Sequence, residues 1–243
     1  MLVKNFRKFR SCNIPILVVL AVFVLTSAGY ANVLAPGDCA GAGANPACPG
    51  TVTNFGTDPS FFPTNALADT GVVAFTGVGG LYSGTYDEIV AKDNTTGNMD
   101  FIFQIHNNAG STDAIGRITT VPFDHFTTDV GYSSTVFITA MGAGTRFPDT
   151  VDRSLAGDVV GFNFLSTSSA GELMPGQTTD LLVIKTNAPT FTGGFINTLD
   201  GDIARFPGFA PTPEPAFYGL LSLGMGGLFV MSFRRTVSKN RSL

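Results

Sequence analysis

Hydrophobic and polar positions alternate along the middle of the chain with the two-residue period of β-strands. From Leu81 to Lys92, one face carries Tyr82, Gly84, Tyr86, Glu88 and Val90. From Asn98 to Asn107, one face carries Met99, Phe101, Phe103 and Ile105. The turn-forming residues 94–97 separate the two runs. This pattern predicts a β-hairpin.

Shorter apolar runs, broken by Gly, Asn, Asp and Pro, indicate further strands. They lie at 71–78, 115–121, 135–140, 159–165, 181–186 and 191–198, with a weaker one at 203–206. About nine short strands with regular turn signals are typical of an antiparallel β-sandwich, so the predicted fold class is all-β. The chain has 22 Phe and no Trp, which predicts a phenylalanine-rich core between two sheets.

The N-terminal residues 1–31 have the pattern of a secretory signal peptide. A basic start precedes an apolar run of about 12 residues, from Ile14 to Leu25. Small residues follow, and Gly29 with Ala31 predicts cleavage after Ala31, with cleavage after Ala28 as the alternative. A permanent membrane span needs about 20 apolar residues, so this run is short for an anchor.

A second uncharged run lies near the C-terminus, at residues 216–233. Its 18 residues would form a helix about 27 Å long, just sufficient for the bilayer core. Arg234 and Arg235 follow at once, so we expect a transmembrane helix and a basic cytoplasmic tail over 234–243.

Charge is divided unevenly between the ends and the middle of the chain. The first ten and last ten residues each hold four basic side chains and no acid. Residues 32–210 hold the other six basic side chains and 17 of the 18 acidic ones, a net charge of −11. Basic residues collect on the cytoplasmic side of membrane segments, so the acidic middle is predicted to be exported. An acidic domain also repels phosphate backbones, which argues against a nucleic-acid partner.

Residues 211–215 read Pro-Thr-Pro-Glu-Pro and lead directly into the uncharged run. Pro213, Glu214 and Pro215, the span 216–233, and Arg234 with Arg235 resemble the PEP-CTERM sorting signal. The resemblance covers residues 211–243 only. It implies an exosortase-like processing enzyme as partner, transient anchoring through the C-terminal helix, and delivery to the cell surface or an exopolysaccharide-containing matrix. An ordinary anchor after a proline-rich stalk is the alternative.

Cys39 and Cys48 lie nine positions apart in a lead-in rich in Gly, Ala and Pro, residues 32–64, which precedes the predicted domain at 65–210. An even pair of cysteines in an exported chain favours a disulfide that closes a small loop.

No catalytic motif stands out in the exported part. There is no Gly-x-Ser-x-Gly, and neither His106 nor His125 has a convincing Ser and Asp partner of the catalytic kind in its local sequence. Acidic pairs that could hold calcium are Asp87 with Glu88, Asp149 with Asp152, and Asp200 with Asp202, and residues 93–100 have a similar character. Turn residues on an acidic surface explain all of these without a metal.

The sequence therefore predicts a non-enzymatic surface or matrix protein with a structural or adhesive role and no cofactor. A polysaccharide-binding module, with or without calcium, is the main alternative, and a hydrolase of matrix polymers is a weaker one. Without Trp, the residues available to stack on a sugar ring are Tyr82, Tyr86 and Tyr132.

Overall fold

The computed structural model describes residues 33–41, 48–56, 66–134 and 140–212. These residues form an all-β structure of two sheets, with no helix among them. The strands are β1 (Cys39–Ala40), β2 (Thr53–Asn54), β3 (Ala66–Asp69), β4 (Val73–Thr76), β5 (Ser83–Lys92), β6 (Met99–Asn107), β7 (Arg117–Val121), β8 (Thr128–Ser133), β9 (Thr150–Arg153), β10 (Val160–Asn163), β11 (Leu181–Thr186), β12 (Thr190–Asp200) and β13 (Asp202–Thr212).

One sheet has six strands in the order β1-β9-β10-β7-β12-β13. The other has seven, in the order β2-β8-β11-β6-β5-β3, and β4 also pairs with β5 beyond the end of β3. The pairings are antiparallel except for β2 with β8, which run parallel. The all-β class is thus confirmed, with two sheets.

The hairpin predicted from the alternating pattern is confirmed. Strands β5 and β6 pair over nine residues, from Gly84 opposite Asn107 to Lys92 opposite Met99. Gly97 has a φ of 75°, and its N–H donates to the carbonyl of Asp93 over 2.8 Å. Glycine adopts this left-handed conformation at no steric cost, so the turn occurs where the polar residues interrupt the pattern.

The core lies between side chains of the two sheets and is rich in phenylalanine, as predicted. Phe103 of β6 meets Phe162 of β10 edge to face with ring centres 5.6 Å apart. Tyr86 of β5 lies 4.2 Å from Phe206 of β13, measured between ring centres. Such aromatic contacts add to the free energy gained by burying apolar surface.

The opposite face of the seven-stranded sheet is also buried, which alternation alone does not predict. Ala91, Ile102, Leu181 and Val183 form a second apolar cluster there, against which Phe55 packs. Both faces of β5 and β6 are therefore covered over much of their length. In the sequence, isoleucine on the otherwise polar side of the alternating pattern is only a weak signal that this face is buried.

The described residues form thirteen strands where nine were predicted for the domain, because short strands with little apolar periodicity escaped detection. The strands missed were β1, β2, β3, β8 and β9. The predicted strand at 135–140 lies outside the described residues except for its last position, which is a turn. The weak signal at 203–206 is part of β13, an 11-residue strand.

The described part of the N-terminal lead-in contributes an edge strand to each sheet. Strand β1 pairs with β9, and β2 pairs with β8. Cys39 of β1 forms a disulfide with Cys48, the pairing that the spacing favours. The carbonyl of Leu34 accepts a hydrogen bond of 3.0 Å from Arg153 Nη1, so the lead-in is held by side chains as well as by strand pairing.

Strand β13 forms one edge of the six-stranded sheet, and this edge offers few free N–H groups. In an antiparallel pair, alternate residues direct their backbone groups away from the partner strand. Pro207 and Pro211 occupy two of these positions and have no N–H to donate, and the N–H of Phe209 donates to Glu88 Oε2 over 2.8 Å. Proline on an edge strand opposes edge-to-edge association.

Candidate functional site

The predicted sorting and processing residues lie outside the described residues. These are Ala31, Pro213, Glu214, Pro215, Arg234 and Arg235, together with the signal peptide and the predicted span at 216–233. Within the parts of the chain that the structure describes, no helix has the length and apolar character to cross a membrane.

The acidic pairs considered for calcium do not come together in the predicted combinations. Asp87 and Glu88 lie on opposite faces of β5. Asp149 pairs with Arg146, whereas Asp152 pairs with Arg117. Successive strand residues point to opposite faces, so the adjacent pair could not converge on one ion.

Two further acidic positions are occupied by local hydrogen bonds. Asp202 accepts the N–H of Gly79 at 2.7 Å and that of Leu81 at 3.2 Å, and these bonds lower the pKa of its carboxyl group. Asp93 Oδ1 accepts from the N–H of Thr95 at the hairpin turn. Among the described residues, no group of three or more His, Cys, Asp or Glu side chains is placed to hold a metal ion.

A carboxyl pair that the sequence does not reveal joins Glu172 to Asp200, with Asp113 nearby. Burial is the first cause of the raised pKa of both Glu172 and Asp200, and the charges of neighbouring carboxylates add to it. Glycoside hydrolysis needs two carboxyl groups about 5 to 9.5 Å apart, with room for the sugar. Glu172 and Asp200 lie close enough to alter each other's pKa, and this closeness by itself does not make the pair a hydrolytic site.

Neither histidine has the partners of a nucleophilic site. His106 Nδ1 lies 2.9 Å from the hydroxyl of Thr178. His125 is exposed, has a φ of 69°, and its Nε2 lies 3.0 Å from a carboxylate oxygen of Asp124. A Ser-His-Asp arrangement needs a base between a nucleophile and an orienting acid, and the contacts of these two side chains do not form one.

Glu88 is a fully buried carboxyl group in the core. Its Oε2 accepts the N–H of Phe209, and its Oε1 has no hydrogen-bond partner. Burial raises the pKa of Glu88 to about 8, although the hydrogen bond from Phe209 opposes this shift. The side chain is therefore mostly protonated at neutral pH, which lowers the cost of placing it between the sheets.

Two of the three tyrosines considered for sugar stacking are buried. Tyr82 is 1% exposed and Tyr86 is 2% exposed, and both belong to the core. The hydroxyl of Tyr82 donates to the carbonyl of Thr198 over 2.8 Å. The expectation that these two rings could contact a sugar is therefore wrong, because the face of β5 that carries them packs against the other sheet.

The third tyrosine borders a surface pocket of about 220 Å³. The pocket is lined by Thr51, Val52, Tyr132, Phe147, Pro148 and Asp149. Tyr132 and Phe147 stack with ring centres 5.1 Å apart and planes 14° from parallel, and Phe147 is 47% exposed. Burial, and then the charge of Asp180, raises the pKa of the Tyr132 hydroxyl, so it remains a neutral donor and acceptor at neutral pH.

A buried arginine holds the segment that carries Phe147. Arg146 is 1% exposed, and its Nε donates to the carbonyl of Gly171 over 2.9 Å. Its Nη1 donates to the carbonyl of Phe147, and its Nη2 donates to Asp149. The N–H of Leu165 also donates to Asp149 Oδ2, over 2.7 Å. These bonds fix the main chain on both sides of the exposed ring.

Sequence reasoning found Tyr132 but missed Phe147 and Arg146. The sequence did contain a signal, the segment Arg146-Phe147-Pro148-Asp149. In it Arg146, one of the six basic residues of the acidic middle, stands three positions before an acid. Only the fold shows that Arg146 is buried and that Phe147 stacks on Tyr132 of β8.

Comparison of the chain with protein-family models, with curated proteins and with solved structures finds no match.

Proposed function

We propose that this protein is an exported, non-enzymatic β-sandwich that serves a structural or adhesive role at the cell surface or in the extracellular matrix. The two sheets would be the layers of the sandwich. The C-terminal segment would hold the domain at the membrane until an exosortase-like enzyme processes it.

The observation that carries the proposal is that strand β13 reaches the residue directly before the motif. Strand β13 runs to Thr212, and Pro213 of the Pro-Glu-Pro motif is the next residue. Pro211, which lies two residues before the motif, is buried in β13 and pairs with Phe191. A folded unit placed directly against the motif supports a sorting signal attached to a compact cargo rather than to a long proline-rich stalk.

Two further features support export. The Cys39–Cys48 disulfide suits an oxidising compartment, where such bonds persist. The acidic middle between two basic ends gives the same orientation across the membrane, independently of the cysteines.

Replacing Pro213 and Pro215 with Ala and Glu214 with Gln is expected to block C-terminal processing. The variant should keep its C-terminal residues and remain in the membrane fraction, whereas the natural protein should lose them and reach the surface or the medium. Mass spectrometry of intact protein from each fraction measures both results and also gives the N-terminal cleavage point.

Pro211→Ala is the matched control, since this proline lies in β13 and outside the motif. It should be processed like the natural protein. If the motif variant and the natural protein had the same mass and distribution, sorting through this motif would be refuted.

Removal of the gene tests the role at the surface. Cells lacking the protein are expected to show weaker adhesion and aggregation, restored by the natural gene but not by the motif variant. Normal matrix, adhesion and aggregation in the deletion strain would contradict a structural or adhesive role.

A further inference from the structure

The pocket beside Tyr132 combines a rigid aromatic surface with polar groups at its margin. Phe147 stacks on Tyr132 and still leaves about half of its surface open. Small-molecule sites typically pair such apolar surfaces with a few fixed polar groups. A pyranose ring has matching chemistry, because its C–H faces are apolar and its hydroxyl groups point outward around the ring.

Phe147 is held in place before any ligand arrives. Its carbonyl accepts from Arg146, and Pro148 restricts the backbone that follows. The stacked partner Tyr132 lies in β8, where its neighbour in β11 is Leu182. A preformed surface of this kind loses little conformational entropy when it binds.

The polar margin of the pocket includes a carboxylate of fixed orientation. Asp149 Oδ2 accepts from Arg146 and from the N–H of Leu165, and among the described residues no hydrogen bond engages Oδ1. Tyr132 also lines the pocket and carries a neutral hydroxyl, which interacts with the side chain of Asn54. Hydrogen bonds between an ionised carboxylate and hydroxyl donors are among the stronger kinds.

The charge around the pocket favours a neutral sugar over an acidic one. Asp149 lines the pocket, and Asp180 lies close enough to Tyr132 to influence it electrostatically. The guanidinium of Arg146 is buried and donates to main-chain carbonyls, Asp149 and Ser168, so it is not presented to a ligand. An anionic sugar would therefore find no cation among the residues that line the pocket, because Asp149 is already paired with Arg146.

From these observations we propose that the pocket formed by Tyr132, Phe147, Pro148 and Asp149 binds one pyranose ring of a neutral polysaccharide. Its volume of about 220 Å³ is below the range of about 300 to 1,000 Å³ typical of sites for larger ligands, which suits a single ring within a chain. The pocket would thus supply the contact between a surface or matrix protein and its polymer. This inference rests on the proposed function only for the place where the protein would meet the polymer, the cell surface or matrix.

The test uses the mature protein and affinity electrophoresis in gels containing dextran, hydroxyethyl cellulose, a neutral galactan or, as the acidic counterpart, polygalacturonate. At least one neutral polymer is expected to retard the protein, and polygalacturonate is not. Phe147→Ala should weaken the retarding interaction about tenfold, the loss expected for one aromatic contact in a small site.

Phe195→Ala is the matched control. Phe195 is 42% exposed, similar to Phe147, but lies on the six-stranded sheet, where the guanidinium of Arg205 covers its ring at 3.8 Å. This variant should be retarded like the natural protein. Tyr132→Phe retains the stack and removes one hydroxyl, so it should give an intermediate loss, and thermal melting of each variant establishes that it is folded.

Three results would overturn the assignment: no retardation by any neutral polymer, equal retardation of the Phe147 and Phe195 variants, or stronger retardation by polygalacturonate. Binding is measured on purified protein, so its failure is distinct from a failure of sorting. A protein that binds sugar but is never exported would refute the proposed function and leave the pocket assignment standing.

Discussion

Replacing Arg153 with Met is expected to lower the free energy of unfolding by about 4 kcal/mol, a large share of the ~5–15 kcal/mol typical of a domain. Arg153 is 5% exposed and donates to the carbonyls of Gly157, Leu34, Phe123 and Phe126 over 2.8 to 3.0 Å. Methionine fills a similar volume but leaves these carbonyls without their donor, and each buried unsatisfied group is costly. Urea unfolding at neutral pH measures the loss.

Arg205→Met provides the control, since Arg205 is an exposed arginine on the outer side of β13. Its change should stay within about 0.5 kcal/mol, as for most surface substitutions. Arg153→Lys should fall between the two, because a single ammonium group cannot replace a forked guanidinium at four carbonyls. Equal stability of the Arg153 and Arg205 methionine variants would show that the carbonyl contacts are not needed for stability.

Replacing Glu88 with Gln is expected to remove a steep decline in stability with rising pH. The pKa of Glu88 is about 8 in the folded protein and close to 4.5 when the chain is unfolded. Between these values the folded state holds a proton that the unfolded state has released, so the stability contributed by neutral Glu88 is full below pH 4.5 and is lost as pH rises through 8. The slope from this group is about −1.4 kcal/mol per pH unit.

The measurement is the free energy of unfolding of both proteins at pH 5.5, 7.0 and 8.5. The natural protein should lose stability relative to the Gln variant at each step, by about 3 kcal/mol in total, because the loss levels off above pH 8. Glu172→Gln is the control, because its carboxyl group lies at the surface end of a partly exposed acidic pair and should change the slope much less. Parallel pH profiles for the natural protein and the Glu88 variant would rule out a buried neutral carboxyl.

Glu88 also shows how far an alternating pattern can be interpreted. The pattern correctly placed Glu88 on the same face as Tyr86 and Val90, and both of these belong to the core. An acid on such a face is ordinarily expected near an edge or in contact with solvent. Its burial depends on the N–H of Phe209, which reaches Glu88 from a strand of the other sheet, 121 positions away in sequence.

The sequence predicted only some of the residues that form the candidate sugar pocket. Aromatic content and the absence of Trp narrowed the stacking residues to tyrosines, and Tyr132 does border the pocket. Tyr82 and Tyr86 were excluded only by the position of the second sheet, and Phe147 gained a stacking partner only because the 140–149 segment crosses beside β8. Period-two patterning assigns a face to a residue but does not tell which face is covered.

The sequence alone was enough to predict the all-β fold class, because the β pattern, the β5–β6 hairpin and the phenylalanine core all follow from local periodicity and composition. It also predicted the topology of export, since charge partition and apolar run length act through the membrane and do not depend on the fold. The fold as a whole sets which polar residues are buried, which acids pair with arginines, and where an aromatic surface stays exposed. These properties depend on contacts between segments far apart in the chain, and local sequence carries no record of such contacts.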